Sequence, residues 1–211
     1  MDISTILSFL GASILLTVTP GPDILFVITE SLTKGQRTGI AISVGLVSGL
    51  IVHITMAYTG LSLAFQTFPE LLNTVKFAGA AYLLYLAYKA YGEEKPETTQ
   101  GQTLAVAGTG YQVSAIKLVR KGILMNVLNP KVSLFFLLFL PQFVQESATM
   151  SSDAQILSLG GLFILQALLI FSSVSVLSGR LTGLLNSDRF WSGTKIVKII
   201  ALCGIAAMLA L

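Results

Sequence analysis

Two short interruptions constrain this chain more than any other feature: Pro20-Gly21-Pro22-Asp23 and Asn129-Pro130-Lys131, each set inside a run that is otherwise apolar enough for a membrane helix. Proline has no amide proton and its ring obstructs the carbonyl four residues back, so neither run can be one continuous helix. Each interruption also carries an ionisable side chain at a depth where charge is costly. Freed backbone groups in hydrocarbon must be buried in protein or face a hydrated cavity. The two breaks are therefore where a solute path is expected.

Composition fixes the setting. Hydrophobic residues are 54% of 211, only 11% are charged, and the mean hydropathy is +0.81. A water-soluble domain with these proportions lacks the residues to cover its surface. Six apolar segments are expected to cross the bilayer: Ile3 to Ser31 with the break at Pro20 to Asp23, Gly39 to Phe65, Leu71 to Tyr91, Gly122 to Leu140, Ile156 to Leu177 and Gly193 to Leu211. A helix needs about 20 residues to cross about 30 Å of hydrocarbon. The first segment starts with an acid rather than a base and runs straight into the proline motif, so it reads as a retained helix and not a cleaved signal.

The thirteen Lys and Arg residues sort by loop. Lys34 and Arg37 follow the first segment. Lys89, Lys95, Lys117, Arg120 and Lys121 border the third and fourth, and Arg180, Arg189, Lys195 and Lys198 border the fifth and sixth. The loops from Gln66 to Glu70 and from Pro141 to Gln155 have none. By the positive-inside rule both termini face outward. Lys76 lies close enough to the outer border to snorkel. Lys131 does not: ten residues beyond Lys121, it sits about 15 Å deep at helical rise. Asp23, eleven residues before Lys34, is about 16 Å deep by the same count.

Three crossings on each side of a polar stretch give an all-α polytopic membrane protein made of two inverted three-helix repeats, residues 1–91 and 119–211, joined by a cytoplasmic connector at 92–118. The first helix of each repeat is the interrupted one, the pattern by which inverted-repeat transporters build a site near the bilayer midplane. Gly21 between two prolines adds permissive backbone. Asp23 can cap the inner half-helix, meet a substrate ammonium or carry a coupling proton. Lys131 offers the opposite charge, to Asp23 or to a substrate carboxylate, with Asn129 beside it as donor and acceptor. A purely structural Asp23–Lys131 ion pair is the competing reading. Opposite charges at one depth match a zwitterion, which points to an amino acid as cargo.

Other polar residues in the segments are less specific. His53 continues the four-residue spacing of Ala41, Gly45 and Gly49, a small-residue track that admits a neighbouring helix. Its imidazole is either a hydrogen-bonded core residue or a second proton-linked group. Asn126, Gln166 and Ser172, with Ser173, Ser175 and Ser178, are candidates to line a path, although each serine can equally bond on its own helix and Gln166 between helices. Glu30 lies four residues before Lys34, the spacing of an ordinary helical ion pair. No cysteine, carboxylate or second histidine accompanies His53 to suggest a metal. Cys203, the single cysteine, has no partner in the chain for a disulfide. Phosphate loops, nucleophile motifs and paired carboxylates are missing, so neither an enzyme nor a cofactor is expected. The bases sit at membrane borders and give no nucleic-acid patch.

Taken in order, Thr19-Pro20-Gly21-Pro22-Asp23, the glycine-rich start of segment two through His53, Gly79-Ala80-Ala81-Tyr82-Leu83-Leu84-Tyr85-Leu86, Asn126-Val127-Leu128-Asn129-Pro130-Lys131 and Phe139-Leu140-Pro141-Gln142-Phe143 resemble the lysine exporter (LysE/RhtB) family over nearly the full length. The resemblance implies a six-helix carrier in the bacterial cytoplasmic membrane that exports amino acids or close derivatives against protons; it allows a homodimer, as is common among members, while the small-residue tracks can equally serve packing within one chain. It maps the family's first-helix motif to Pro20, Gly21, Pro22 and Asp23, and its fourth-helix motif to Asn129, Pro130 and Lys131. It leaves the cargo open among basic, hydroxylated, aliphatic and sulfur-containing amino acids. A carrier of another small metabolite or ion is the nearest alternative, and a non-transporting membrane scaffold the more distant one.

Overall fold

The computed structural model describes residues 1–67, 69–92, 114–145, 148–185 and 187–210. Most of the connector expected at 92–118, and the side chain of Lys76, lie outside the described residues. Among the described residues the regular structure is entirely helical: α1 (Ile3–Val18), α2 (Pro22–Lys34), α3 (Gln36–Thr67), α4 (Pro69–Tyr91), α5 (Ala115–Val127), α6 (Pro130–Leu134), α7 (Ser152–Leu185) and α8 (Asp188–Ala210). A π turn over Phe135–Phe139 and a 3-10 turn over Leu140–Phe143 extend α6.

The prolines set the breaks. Pro22 and Pro130 each open a half-helix at N1, where the missing amide costs no intrahelical bond. The chain bends by 55° between α1 and α2 and by 54° between α5 and the α6 run. Asn129 caps α6, its side-chain oxygen accepting from the Lys131 amide at 3.1 Å. Gly35, at φ 89°, ends α2 and lets α3 start immediately.

Two windows, Gln36–Gly60 in α3 and Ser152–Ser178 in α7, are long and apolar enough to cross a membrane, and each bent pair also qualifies when taken as one span. Up to four crossings are thus supported by length and composition among the described residues, at the positions of the first, second, fourth and fifth expected segments. The third and sixth correspond to α4 and α8, helices of 23 residues each.

α3 packs along α5 and α7, α2 lies against α3 and α7, and α4 pairs with α8. The α3–α5 contact is as close as the small-residue track implies. A Cβ on Gly45 would strike the Val119 carbonyl, one on Gly122 the Ile42 carbonyl, and one on Gly49 the Asn126 side chain. Gly122 is a partner in this contact that the reading of the second segment alone did not supply.

At the end that carries the N-terminus, Gln145 binds Asp2 from both sides, donating to its carboxylate at 2.9 Å and accepting from its amide at 3.1 Å. Gln155 ties the same loop through the Gln145 amide and carbonyl, both at 2.9 Å. Beneath this latch Phe9, Phe135, Phe139, Phe143 and Phe163 form a closed ring cluster with centroids 5.0 to 5.8 Å apart. At the opposite end Ser31 donates to Ser175 at 2.9 Å and Ser175 to the Gln36 carbonyl at 2.8 Å, joining α2, α3 and α7. Glu30 pairs with Lys34 at 2.7 Å, as its spacing indicated, and with Lys121 of α5 at 3.8 Å.

Gly45→Ala should lower the thermal unfolding midpoint of the detergent-solubilised protein, because overpacking a tight contact costs about 1–3 kcal/mol. Gly11→Ala, at an exposed helical position with nothing within 4 Å of the added carbon, should leave it unchanged or raise it; equal losses from the two variants would contradict the close α3–α5 packing.

Candidate functional site

A residue in an α-helix offers its carbonyl to the amide four positions on, so Pro20 leaves the carbonyl of Leu16 without a helical donor and Pro130 does the same to Asn126. Both are supplied from elsewhere in the fold. The Lys131 ammonium, arriving from α6, donates to the Leu16 carbonyl at 3.1 Å and to the Thr19 carbonyl at 3.3 Å. His53, arriving from α3, donates through Nε2 to the Asn126 carbonyl at 3.1 Å, and the Asn129 amide reaches the same oxygen at 2.9 Å. Since a carbonyl only accepts, the proton on that imidazole is on Nε2.

Asp23 and Lys131 meet, as one of the sequence alternatives held. Both are buried, and Lys131 Nζ lies 3.5 Å from Asp23 Oδ2. That separation is long for a charge-assisted hydrogen bond, whose usual range is about 2.7–2.9 Å. The lysine makes its closer contacts with the two carbonyls, and Asp23 Oδ1 has no hydrogen-bond partner. Backbone dipoles hold both charges in place: Lys131 stands at the C-terminal end of α1 and Asp23 in the first turn of α2.

Two details differ from the sequence expectation. Asp23 does not cap α2: the N-cap is Gly21, and no side chain bonds there. Nor does Gly21 serve an unusual backbone angle, since its φ of −154° is extended. Glycine instead leaves room there: a Cβ would lie 2.8 Å from Asp23 Oδ1 and 3.2 Å from Lys131 Nζ and would displace the ends of those two side chains.

A cavity of about 10 Å³, room for about one water, opens beside the pair. Its polar walls are Thr17, Asp23, Asn126 and Lys131. Asn129 is buried next to Lys131 with its Nδ2 unpartnered. Gln166 acts through a neighbour, donating to the Thr17 hydroxyl at 2.9 Å, and its Oε1 is without a partner. Ser172 is half-buried and not among the residues that line the cavity. Pro20, Pro22 and Pro130 act by breaking backbone. The sequence reading had not singled out Leu16 or Thr17; Leu16 was findable, standing four residues before Pro20.

Two bent helix pairs, each apolar and long enough to cross a membrane when taken as one span, meet around a buried pair of opposite charges with freed carbonyls and a small, mostly apolar cavity at the bend, the architecture of a polytopic membrane protein. The chain belongs to the LysE type translocator family, whose model matches residues 14–211. It is 29% identical to the leucine efflux protein of Salmonella typhimurium over 141 residues, 67% of this chain and 64% of that protein, so the match spans just under two thirds of the relative's length. Bacillus subtilis has a relative named uncharacterized membrane protein YrhP, 27% identical over 172 residues, 79% of this chain and 80% of that one. An uncharacterized membrane protein of Vibrio cholerae is 28% identical over 147 residues, 70% of this chain and 68% of the relative. No solved structure matches the chain.

The asymmetry of the pair is measurable. Lys131→Met leaves two carbonyls and a carboxylate bare and should destabilise by about 3–5 kcal/mol, the scale for breaking a buried pair from one side. Asp23→Asn keeps the lysine on its carbonyls and should cost clearly less in the same chemical-denaturation assay. An Asp23→Asn loss equal to or greater than that of Lys131→Met would contradict the arrangement.

Proposed function

We propose that this protein is a secondary transporter that exports amino acids or close derivatives from the cytoplasm, with inward proton movement driving the cycle. The observation that carries the reading is the loosely made Asp23–Lys131 pair beside two broken helices. A zwitterion presents an ammonium to the unpartnered Asp23 Oδ1 and a carboxylate to Lys131 and the unpartnered Asn129 Nδ2. Binding satisfies buried polar atoms whose isolation costs about 1–3 kcal/mol each. Pro20, Gly21, Pro22 and Pro130 keep the contacting backbone out of helix.

The remaining cavity wall is apolar: Leu16, Leu50, Val132, Phe163, Ala167 and Phe171. Its one acid is already matched by its one base, which supports an uncharged, apolar side chain on the cargo. The name of the Salmonella relative makes leucine the first cargo to test. A cavity sized for one water cannot admit an amino acid, so cargo entry requires one end to open. On this reading the Ser31–Ser175 and Glu30–Lys121 contacts part toward the cytoplasm, and the Gln145 latch with its phenylalanine cluster parts outward.

The rest of the architecture belongs to the same proposal. α4 and α8, about 35 Å long at helical rise, complete six crossings as inverted repeats at 1–91 and 119–211, with the connector at 92–118 and both termini outside the bacterial inner membrane. The pairing of α4 with α8 and of α3 with α7 supports it, since these elements correspond under such a repeat. Two copies form the working unit. Asp23 is the first proton-linked group, and His53, through its unpartnered Nδ1, the second.

Counterflow of labelled leucine in proteoliposomes tests the cargo, with labelled lysine as the charged comparison. The expected result is leucine exchange above the level of empty vesicles and little for lysine. Asp23→Asn, inserted normally, should lose gradient-driven export by about tenfold or more; export at the original rate across several external pH values would overturn the role given to Asp23.

A further inference from the structure

His53 is 1% exposed, in the middle of α3, and its ring lies against Phe136 of the π turn with centroids 5.9 Å apart and planes at 20°. Gly49, one turn earlier, lets α3 approach so closely that any side chain there would strike Asn126. That approach brings His53 Nε2 to the Asn126 carbonyl, which Pro130 deprives of its helical donor and which also accepts the Asn129 amide. We infer that His53 is a positioning residue: it stands in for the amide that Pro130 lacks and so fixes the turn from Asn126 to Lys131.

The consequence reaches the site through backbone. Asn126 accepts from Asn129 in the same turn at 2.9 Å, Asn129 Oδ1 accepts the Lys131 amide at 3.1 Å, and the Lys131 side chain starts from there toward Leu16 and Thr19. Without the imidazole donor, the Asn126 carbonyl is held by the single short-range bond from Asn129. The two breaks are thus stabilised reciprocally: the second half of the chain supplies Lys131 to the first break, and the first half supplies His53 to the second. Proton uptake at Nδ1 leaves the Nε2 donor in place, so this role stands apart from any proton-linked one.

The inference rests on the reading of Asn129 and Lys131 as cargo contacts only for its transport consequence. Its test therefore has two readouts. His53→Phe keeps an aromatic ring against Phe136 and removes the donor, while His53→Gln retains an amide donor at a similar reach. Amide hydrogen exchange of the peptide covering 126–133 in the solubilised full chain should speed up about tenfold in His53→Phe, the effect of losing one buried hydrogen bond. In His53→Gln it should stay near the original rate. In proteoliposome counterflow with no pH gradient imposed, where proton coupling does not set the rate, the half-saturating leucine concentration should rise about tenfold in His53→Phe with a much smaller change in maximal exchange rate, and His53→Gln should restore it. Unchanged exchange in His53→Phe, or equal acceleration in both variants, would overturn the inference. Were the original protein to move no leucine, the cargo reading would fall and the exchange comparison would still decide this one.

Discussion

A carbonyl that loses its helical donor within a membrane-spanning segment must be met by another donor, from protein or from water held in a cavity. In this chain that requirement arises at Leu16 and Asn126, both created by a proline four residues on. The fold answers with side chains from distant helices, Lys131 and His53. Much else follows from bringing them there. Gly21 leaves room for the lysine, Gly49 and Gly122 draw α3 against α5, and Asn129 caps the half-helix from which Lys131 springs.

This arrangement changes how the opposite charges are understood. A tight ion pair would be a structural fixture. Here the ammonium is committed mainly to backbone oxygens, and the carboxylate is left with one oxygen unused. Local helix dipoles favour both charges without the pair having to be short. On the proposed reading, a zwitterionic solute that enters once an end has opened meets a carboxylate oxygen that is still free, and its own carboxylate then competes with the Leu16 and Thr19 carbonyls for Lys131. Such competition links occupancy of the cavity to the geometry of the first break. Both ends of the bundle are closed by contacts of modest strength, hydroxyl and amide bonds, the Glu30–Lys121 ion pair and one phenylalanine cluster, which supports the proposed alternate opening.

The breaks, their all-helical setting and the presence of a charge at each break were legible in the sequence, because proline chemistry is local, whereas the direct meeting of Asp23 with Lys131 was one of the alternatives it left open. The glycine track of the second segment was legible as a contact surface for the same reason. What it contacts was not: the partner Val119 and the reciprocal Gly122 depend on how two helices align across space. The function of Gly21 was misread as conformational freedom because a sequence shows the residue and not the side chains crowding it. Asp23 was open to reading as a cap, yet Gly21 takes the cap position and the carboxylate turns to the lysine. The targets of Lys131 and His53 were half visible, since the residue four before a proline is always a candidate acceptor, while its donor is chosen by tertiary packing alone.

On the proposed reading, cargo binds between Asp23 and the Lys131 ammonium at the first helix break. An experimental structure of the protein with L-selenomethionine bound, a neutral amino acid whose selenium marks its position, tests this most directly. The expected result is the cargo ammonium on Asp23, its carboxylate on Lys131 and Asn129, and the Lys131 ammonium drawn away from at least one of the Leu16 and Thr19 carbonyls. Cargo bound elsewhere, with Lys131 still on both carbonyls and Asp23 untouched, would contradict it.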